Sequence, residues 1–189
     1  MNVLCLDTSG EKIAIGLVKG GEKFTFVSEE GSKKHNCVLL THIDNILSQN
    51  GLKISDIDYF GVVTGPGSFT GIRVGVATTN SFAMALGKQI AEVTSLEQVL
   101  GEEDAIVMLD CKHGNYYCAV KTGDKIEYLA LNESEIAQYS VNKIELTQAV
   151  PELLIEKTLE KIKSNQLTSQ AKPFYIKKSS AEKETGIDA

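Results

Sequence analysis

The chain has 189 residues, of which 42% are hydrophobic and 23% are charged, proportions that are ordinary for a globular protein of one domain or two small lobes. The formal net charge of -6 argues against a surface dominated by nucleic-acid binding, because phosphate backbones require a basic face. No apolar run approaches the ~20 residues that cross a bilayer, and the four cysteines form no CxxC pair. We therefore expect a reduced, cytoplasmic protein without membrane contact or a disulfide framework.

The first third of the chain predicts a three-stranded antiparallel meander followed by a helix. Val3–Asp7, Lys12–Lys19 and Lys23–Ser28 have strand character and are separated by Gly-containing turns. Ser32 is a suitable N-cap for a helix from about Lys33 to Gln49, whose apolar residues follow helical spacing.

The remaining elements predict a second, smaller lobe. A strand over Tyr59–Thr64, a helix over Thr70–Leu86, a strand over Ile90–Val93 and a short helix capped by Ser95 complete the first lobe. Three further strands and a helix follow, at Ala105–Asp110, Tyr116–Lys121, Lys125–Leu131 and Pro151–Lys163. We predict an α/β protein with a first lobe at residues 1–102 and a second lobe, ending in a polar tail, at residues 103–189.

Two segments have the composition of anion sites. Asp7, Thr8, Ser9 and Gly10 follow the first strand, where backbone N–H groups can bind a phosphate while the acid organises hydrated Mg²⁺. The alternative is that these side chains only satisfy the backbone of the turn.

The loop Gly65–Gly71 connects a strand to a helix. Gly65 and Gly67 permit unusual backbone angles, and Ser68 or Thr70 can cap the helix. The loop matches neither GxxxxGK[ST] nor GxGxxG. It is either a phosphate cradle or a purely structural turn.

The helix after this loop carries a second, small-residue stripe beside its apolar core face. Gly71, Val74, Thr78, Ser81 and Ala85 form this stripe. Small residues allow another helix to approach closely, which suits internal packing or a subunit interface.

The histidines do not form a helical metal site. His35 and His42 are seven residues apart, which separates them by ~10 Å along a helix. Leu39 occupies the position four residues after His35, where a second zinc ligand would be needed.

Six segments together resemble the TsaB family, formerly YeaZ. The motif from Gly65 to Arg73 is the most specific part, and the likeness covers nearly the whole chain. The segments are Cys5–Ser9, Lys34–His35, Gly65–Arg73, Ser95–Glu97, Leu109–Tyr117 and Pro173–Ile176.

The resemblance implies an actin-like ATPase fold (ASKHA, ribonuclease H-like) of two lobes with a shortened second lobe. TsaB serves the synthesis of N6-threonylcarbamoyladenosine at position 37 of tRNAs that read ANN codons. Its catalytic relative TsaD carries a helical histidine pair that binds a metal, and this chain lacks that pair. The implied role is a non-catalytic scaffold that binds TsaD through helices of the first lobe and is joined by TsaE, with tRNA contacted only through the complex. ATP and Mg²⁺ are expected only in the assembled complex, and a homodimer through the same face is an alternative.

The resemblance also assigns residues, none of them catalytic or metal-binding. The vestigial anion or nucleotide site would contain Asp7, Thr8, Ser9, Gly65, Gly67, Ser68, Thr70, Asp110 and Lys112. The partner interface would contain His35, Leu39, His42, Gly71, Val74, Gly75, Thr78, Ser81, Phe82 and Ala85.

Two other functions remain open on the residues alone. One is an autonomous kinase or ATPase that uses Asp7 and the loop Gly65–Gly71, and the other, disfavoured, is a metallopeptidase.

The sequence departs from the family at Asp110–His113, where Asp-Ala-Arg-Arg is common. A complete ATP cleft needs both lobes, so the short second lobe argues against independent ATP turnover.

Overall fold

The computed structural model describes residues 1–29, 35–147 and 149–176, without the side chains of residues 35–37. Within these residues the chain forms a five-stranded and a four-stranded β-sheet. The predicted Ser32 cap and the tail from Ser179 lie outside the described residues.

The first sheet begins with the predicted meander. Strands β1 (Asn2–Asp7), β2 (Ala14–Lys19) and β3 (Glu22–Val27) are antiparallel neighbours. Strand β4 (Tyr59–Gly65) lies parallel to β1, and β5 (Gln89–Thr94) lies parallel to β4. The order β3-β2-β1-β4-β5 places the carboxyl ends of β1 and β4 side by side, which is where the two candidate anion segments meet.

Two helices cover one face of this sheet. Helix α1 (His35–Gln49) and helix α2 (Phe69–Leu86) pack against side chains such as Leu4 and Leu6 of β1. Helix α2 ends at Gly87, which has a positive φ of 64° as a C-cap glycine commonly does. Within the described part of the chain, no helix has the length and apolar character that a bilayer span requires.

The second sheet is smaller and repeats the start of the first. Strands β6 (Ala105–Asp110), β7 (Asn115–Thr122) and β8 (Lys125–Asn132) form an antiparallel meander. After the short helix α3 (Glu133–Ile136), strand β9 (Asn142–Glu145) pairs in parallel with β6. The order β8-β7-β6-β9 confirms the predicted fold of two α/β lobes that each open with three strands. Strand β9 and helix α3 were not predicted from the sequence.

Helix α4 (Pro151–Lys163) returns to the first sheet and covers its other face. Alternation along β1 explains this two-sided burial, because Val3 and Cys5 point to α4 while Leu4 and Leu6 point to α1 and α2. The approach is close at Gly16, where an added Cβ would lie 2.5 Å from Ile155. The predicted boundary between the two lobes, at residues 102 and 103, stays a prediction. Helix α4 lies within residues 103–189 but packs on the first sheet.

Candidate functional site

The two candidate anion segments are hydrogen-bonded to each other and to themselves. The Asp7 carboxylate accepts bonds from the Ser9 backbone N–H at 2.8 Å and the Ser9 hydroxyl at 2.7 Å. The Thr8 hydroxyl donates to the Gly71 carbonyl at 2.6 Å, and the Ser68 N–H donates to the Ser9 carbonyl at 2.7 Å. These four donors are therefore used within the chain.

Three glycines of the loop and helix allow this contact. A Cβ at Gly67 or Gly71 would collide with the backbone carbonyl of Ser9 or Thr8, and a Cβ at Gly75 would collide with the Thr8 hydroxyl. Close backbone approach thus requires glycine at these positions. Gly71 and Gly75 are buried against the chain's own first turn, which corrects their prediction as partner-interface residues.

Of the two residues predicted to cap helix α2, Ser68 and Thr70, the structure has Ser68 in this role. Ser68 is the N-cap, and its hydroxyl accepts the Gly71 N–H at 3.2 Å, whereas Thr70 is exposed on the first turn. Gly65 has a positive φ of 117° and lies against the Phe174 carbonyl. The loop is thereby a structural turn that starts α2. The predicted cap by Ser95 is wrong, because the Ser95 hydroxyl donates instead to the Pro66 carbonyl at 2.6 Å.

A cavity of about 540 Å³ lies beside the turn after β1, with walls from both sheets and from the start of α4. Asp7 and Ser9 line it, whereas the other predicted anion-site residues do not. Its described lining residues include three carboxylates, those of Asp7, Glu11 and Glu152, and one cation, Lys12. An acidic wall repels a polyphosphate that carries no bound cation.

The predicted pair Asp110 and Lys112 lies on the exposed turn between β6 and β7. The Asp110 carboxylate accepts the Lys112 N–H at 2.6 Å, and Lys112 has a positive φ of 72°. The carboxylate therefore stabilises its own turn. Neither residue lines the cavity beside Asp7.

Helix α2 presents an exposed stripe that carries a single charged residue. We call these residues the α2 stripe: Thr70, Arg73, Ala77, Ser81, Met84 and Ala85. Met84 has 82% of its surface exposed. On the neighbouring helix α1, Leu40 is 58% exposed and Asp44 is the only carboxylate. We call the α2 stripe together with the exposed side of α1 the α1–α2 face. A surface this poor in charge is typical of an interface core.

The predicted interface residues are divided between this face and the interior. Ser81 and Ala85 are exposed, and Val74, Thr78 and Phe82 are half-buried. Leu39 is only 1% exposed and belongs to the hydrophobic core, which corrects its prediction as a partner contact. The sequence reasoning missed Leu40, Met84 and Arg73, although an apolar residue amid polar helical neighbours was a signal for the first two.

His42 is the histidine of α1 whose side chain the structure describes. His42 is half-buried with its ring 4.6 Å from the Phe26 ring, and its Nε2 atom has no hydrogen-bond partner among the described residues. The His35 side chain lies outside the described set. Within the described residues, no group of three His, Cys, Asp or Glu side chains is placed to hold a metal ion.

The family model that matches this chain and two of its relatives are named for threonylcarbamoyladenosine synthesis on tRNA. The family model described as TsaD: tRNA N6-adenosine threonylcarbamoyltransferase matches residues 23–185. The chain is 30% identical over 133 residues to the tRNA threonylcarbamoyladenosine biosynthesis protein TsaB of Haemophilus influenzae, covering 67% of this chain and 56% of that protein. It is 27% identical over 150 residues to TsaB of Buchnera aphidicola subsp. Acyrthosiphon pisum, covering 76% of this chain and 65% of that protein. The chain thus spans less than two thirds of the length of these two relatives.

Comparison with solved structures supports the fold. The structure of YeaZ from Pseudomonas aeruginosa superposes with a TM-score of 0.74 over 92% of this chain and 99% of that chain, at 19% sequence identity. At this identity the likeness concerns the two-lobed architecture alone.

Proposed function

Because this chain belongs to the TsaD-like family, as a TsaB/YeaZ protein with the two-lobed actin-like fold, we propose that it is a non-catalytic scaffold in N6-threonylcarbamoyladenosine formation on tRNA. Its task in this proposal is to bind a TsaD subunit through the α1–α2 face. TsaE joins the pair, and the tRNA that reads ANN codons contacts the complex rather than this chain. The cytoplasm, where tRNA is modified, is the proposed location.

The observation that carries this proposal is the composition of the α1–α2 face. Across the 18 residues of α2, Arg73 is the only charged side chain, and Met84 and Leu40 project into solvent. A monomer's surface helix normally presents a charged outer face. Burying Met84 and Leu40 against a partner helix would stabilise a complex by roughly 1.5–3 kcal/mol each.

The chemistry of the cavity supports a non-catalytic role. The hydroxyls of Thr8 and Ser9 and the Ser9 N–H are bonded within the chain, and carboxylates outnumber cations along the cavity wall. We expect no binding of Mg-ATP by this chain alone. ATP and Mg²⁺ act in the assembled complex through its other subunits.

The proposal is tested with variants that place a charge in the face. Met84→Glu and Leu40→Glu should each raise the dissociation constant for purified TsaD at least about tenfold, because a carboxylate would have to be desolvated at the interface. They should also lower the threonylcarbamoyladenosine content of tRNA in cells that depend on this chain. Thr122→Glu, at the exposed end of β7, is the matched control and should bind normally. Unchanged TsaD affinity in both face variants would refute the proposed surface.

The same variants address the homodimer. If the free chain self-associates through this face, the contact is isologous and uses the same patch twice. Sedimentation of Met84→Glu should then show a monomer where the parent chain is a dimer.

A further inference from the structure

Arg73 is the only arginine in the chain. Its guanidinium carbon lies 3.8 Å from the centre of the Phe69 ring, and its Nε donates a hydrogen bond to the Tyr175 hydroxyl at 3.2 Å. The Phe69 and Tyr175 rings are themselves 5.7 Å apart. Stacking and a directed Nε–H bond are contacts that a lysine ammonium would not reproduce.

These contacts leave the two terminal amino groups of the guanidinium available to a partner. The Phe69 ring covers one face of the guanidinium, and the Tyr175 hydroxyl accepts the hydrogen bond from Nε. No acceptor among the described residues binds the two terminal amino groups. Arg73 also forms no ion pair among them. The result is an exposed, oriented fork of N–H donors, which matches a carboxylate in a bidentate manner.

Tyr175 is held firmly enough to orient the fork. The segment that carries it, residues 164–176, follows α4 and pairs with the edge strand β5 through Thr168 and Ile90. Asn80 of α2 exchanges two hydrogen bonds with Ala171, at 2.8 and 2.9 Å, and the Phe174 N–H donates to the Thr64 carbonyl at 2.8 Å. The hydroxyl of Tyr175 therefore meets Arg73 at a position set by the backbone.

The fork lies on the surface already proposed to bind a partner. Arg73, Ala77, Ser81 and Met84 follow one another at helical spacing on the α2 stripe. Phe69, at the same end of α2, is 44% exposed. The cluster of Phe69, Arg73 and Tyr175 thus forms a polar, aromatic end of an otherwise uncharged stripe, which is the composition of an interface hot spot.

We infer that this cluster is a carboxylate anchor, in which Arg73 binds an aspartate or glutamate side chain of the partner protein bidentately. The inference rests on the proposed function, because it takes the partner to dock on the α1–α2 face. A nucleic-acid phosphate is the less suitable ligand: the chain is acidic overall, with a net charge of -6, and no second cation lies on the α2 stripe. Tyr175 acts as a positioning residue for the guanidinium.

The test measures affinity for the purified TsaD partner at two salt concentrations. Arg73→Lys keeps the charge but loses the stacked fork, and we expect it and Arg73→Gln to weaken binding about tenfold or more. Since Arg73 is exposed, both variants should melt at the parent temperature. Raising the salt should weaken the parent complex more than the Arg73→Gln complex.

A double-mutant cycle tests the positioning role. Tyr175→Phe should weaken binding severalfold in the parent chain and have no effect in the Arg73→Gln background. Replacing the partner carboxylate that binds Arg73 with a neutral side chain should weaken binding to the parent chain. It should have no effect on binding to the Arg73→Gln chain. An independent, additive loss from Tyr175→Phe would overturn the positioning role.

The outcomes separate this inference from the proposed function. If Met84→Glu weakens binding and Arg73→Lys does not, the anchor is refuted while the docking face stands. If neither variant weakens binding, the face itself is refuted and the anchor with it. Binding of tRNA by the isolated chain that disappears in Arg73→Gln would overturn the carboxylate in favour of phosphate.

Discussion

The Thr8 hydroxyl donates a hydrogen bond to the Gly71 carbonyl at 2.6 Å, across 63 residues of chain. This bond joins the turn after β1 to the first turn of α2. It exists because Gly71 and Gly75 have no Cβ to separate the two segments. The same contact fixes the orientation of α2, and hence of the α2 stripe, relative to the first sheet.

Alanine at the two helix glycines should destabilise the fold. Within a free helix, glycine to alanine is favourable by roughly 1 kcal/mol, so a loss of stability would report the contact with Thr8. We expect Gly71→Ala to cost about 1–3 kcal/mol and Gly75→Ala less, because Gly71 meets the Thr8 backbone and Gly75 meets its side chain. Urea unfolding checks this, with Gly101→Ala, which has open space around its Cβ position, as the control. Stabilisation by Gly71→Ala would contradict the packing.

Asp7 should matter for stability and not for nucleotide binding. Its carboxylate accepts two bonds from Ser9, so Asp7→Asn should cost on the order of 1 kcal/mol. Addition of Mg-ATP should leave the melting temperature of the parent chain unchanged, since ligand binding would raise it. A nucleotide-dependent rise that disappears in Asp7→Asn would instead support an autonomous ATPase.

The ion pair between Lys161 and Glu97 should contribute measurably to stability. The atoms are 2.6 Å apart, and the side chains are only 22% and 15% exposed. Glu97→Gln leaves a largely buried ammonium without its counter-charge and should cost about 1–3 kcal/mol in urea unfolding. Glu156→Gln breaks an ion pair whose side chains are 43% and 52% exposed and should have an effect below about 1 kcal/mol. Equal effects of the two variants would contradict this ranking.

The chain should lose stability in alkali partly through Tyr128. Burial, and next the Glu97 carboxylate, raise the pKa of Tyr128 from 10.0 to about 12. Because the folded-state pKa is the higher one, the contribution is fully present below pH 10 and is lost as the pH rises toward 12. The free energy of unfolding should therefore fall more steeply between pH 10 and pH 12 in the parent chain than in Tyr128→Phe. Parallel pH profiles would show that Tyr128 has no such linkage.

The cysteines should differ in reactivity. Burial raises the pKa of the Cys5 thiol to about 12 and that of the Cys118 thiol to about 11, and both are buried. In a Cys37→Ser background, iodoacetamide at pH 8 should therefore modify the half-buried Cys111 before either of them. Mass spectrometry of the folded and urea-unfolded protein measures the order. Early modification of Cys5 would contradict the burial.

The fold was largely predictable because its elements have clear local signals. The apolar run of β1 and the glycine-bounded turns predicted the first meander, and Pro151 predicted the start of α4, where it occupies the first turn. Strand β9 was missed because its four residues, only one of them half-buried, lack an alternating apolar pattern. The Ser95 cap was predicted wrongly because a hydroxyl before a helical segment has the same local signal whether it caps the helix or bonds to a distant carbonyl.

The candidate site was predictable in position but not in the role of each residue. Helical spacing identified the small residues of α2. It did not distinguish Gly71 and Gly75, which are buried against Thr8, from Ser81 and Ala85, which are exposed. Leu39 had the same ambiguity, since a residue on an amphipathic helix can face the core or a partner.

The sequence by itself determined the family motif, the two α/β lobes and the shortage of charge on α2, because composition and periodicity are local properties of the chain. Only the tertiary structure decided how those pieces act. The bond between Arg73 and Tyr175 joins residues 102 positions apart, and the bonds that occupy Thr8 and Ser9 depend on β1 and β4 lying side by side in the sheet. Such contacts follow from the packing of distant segments, and no local pattern in the chain specifies which distant atoms will meet.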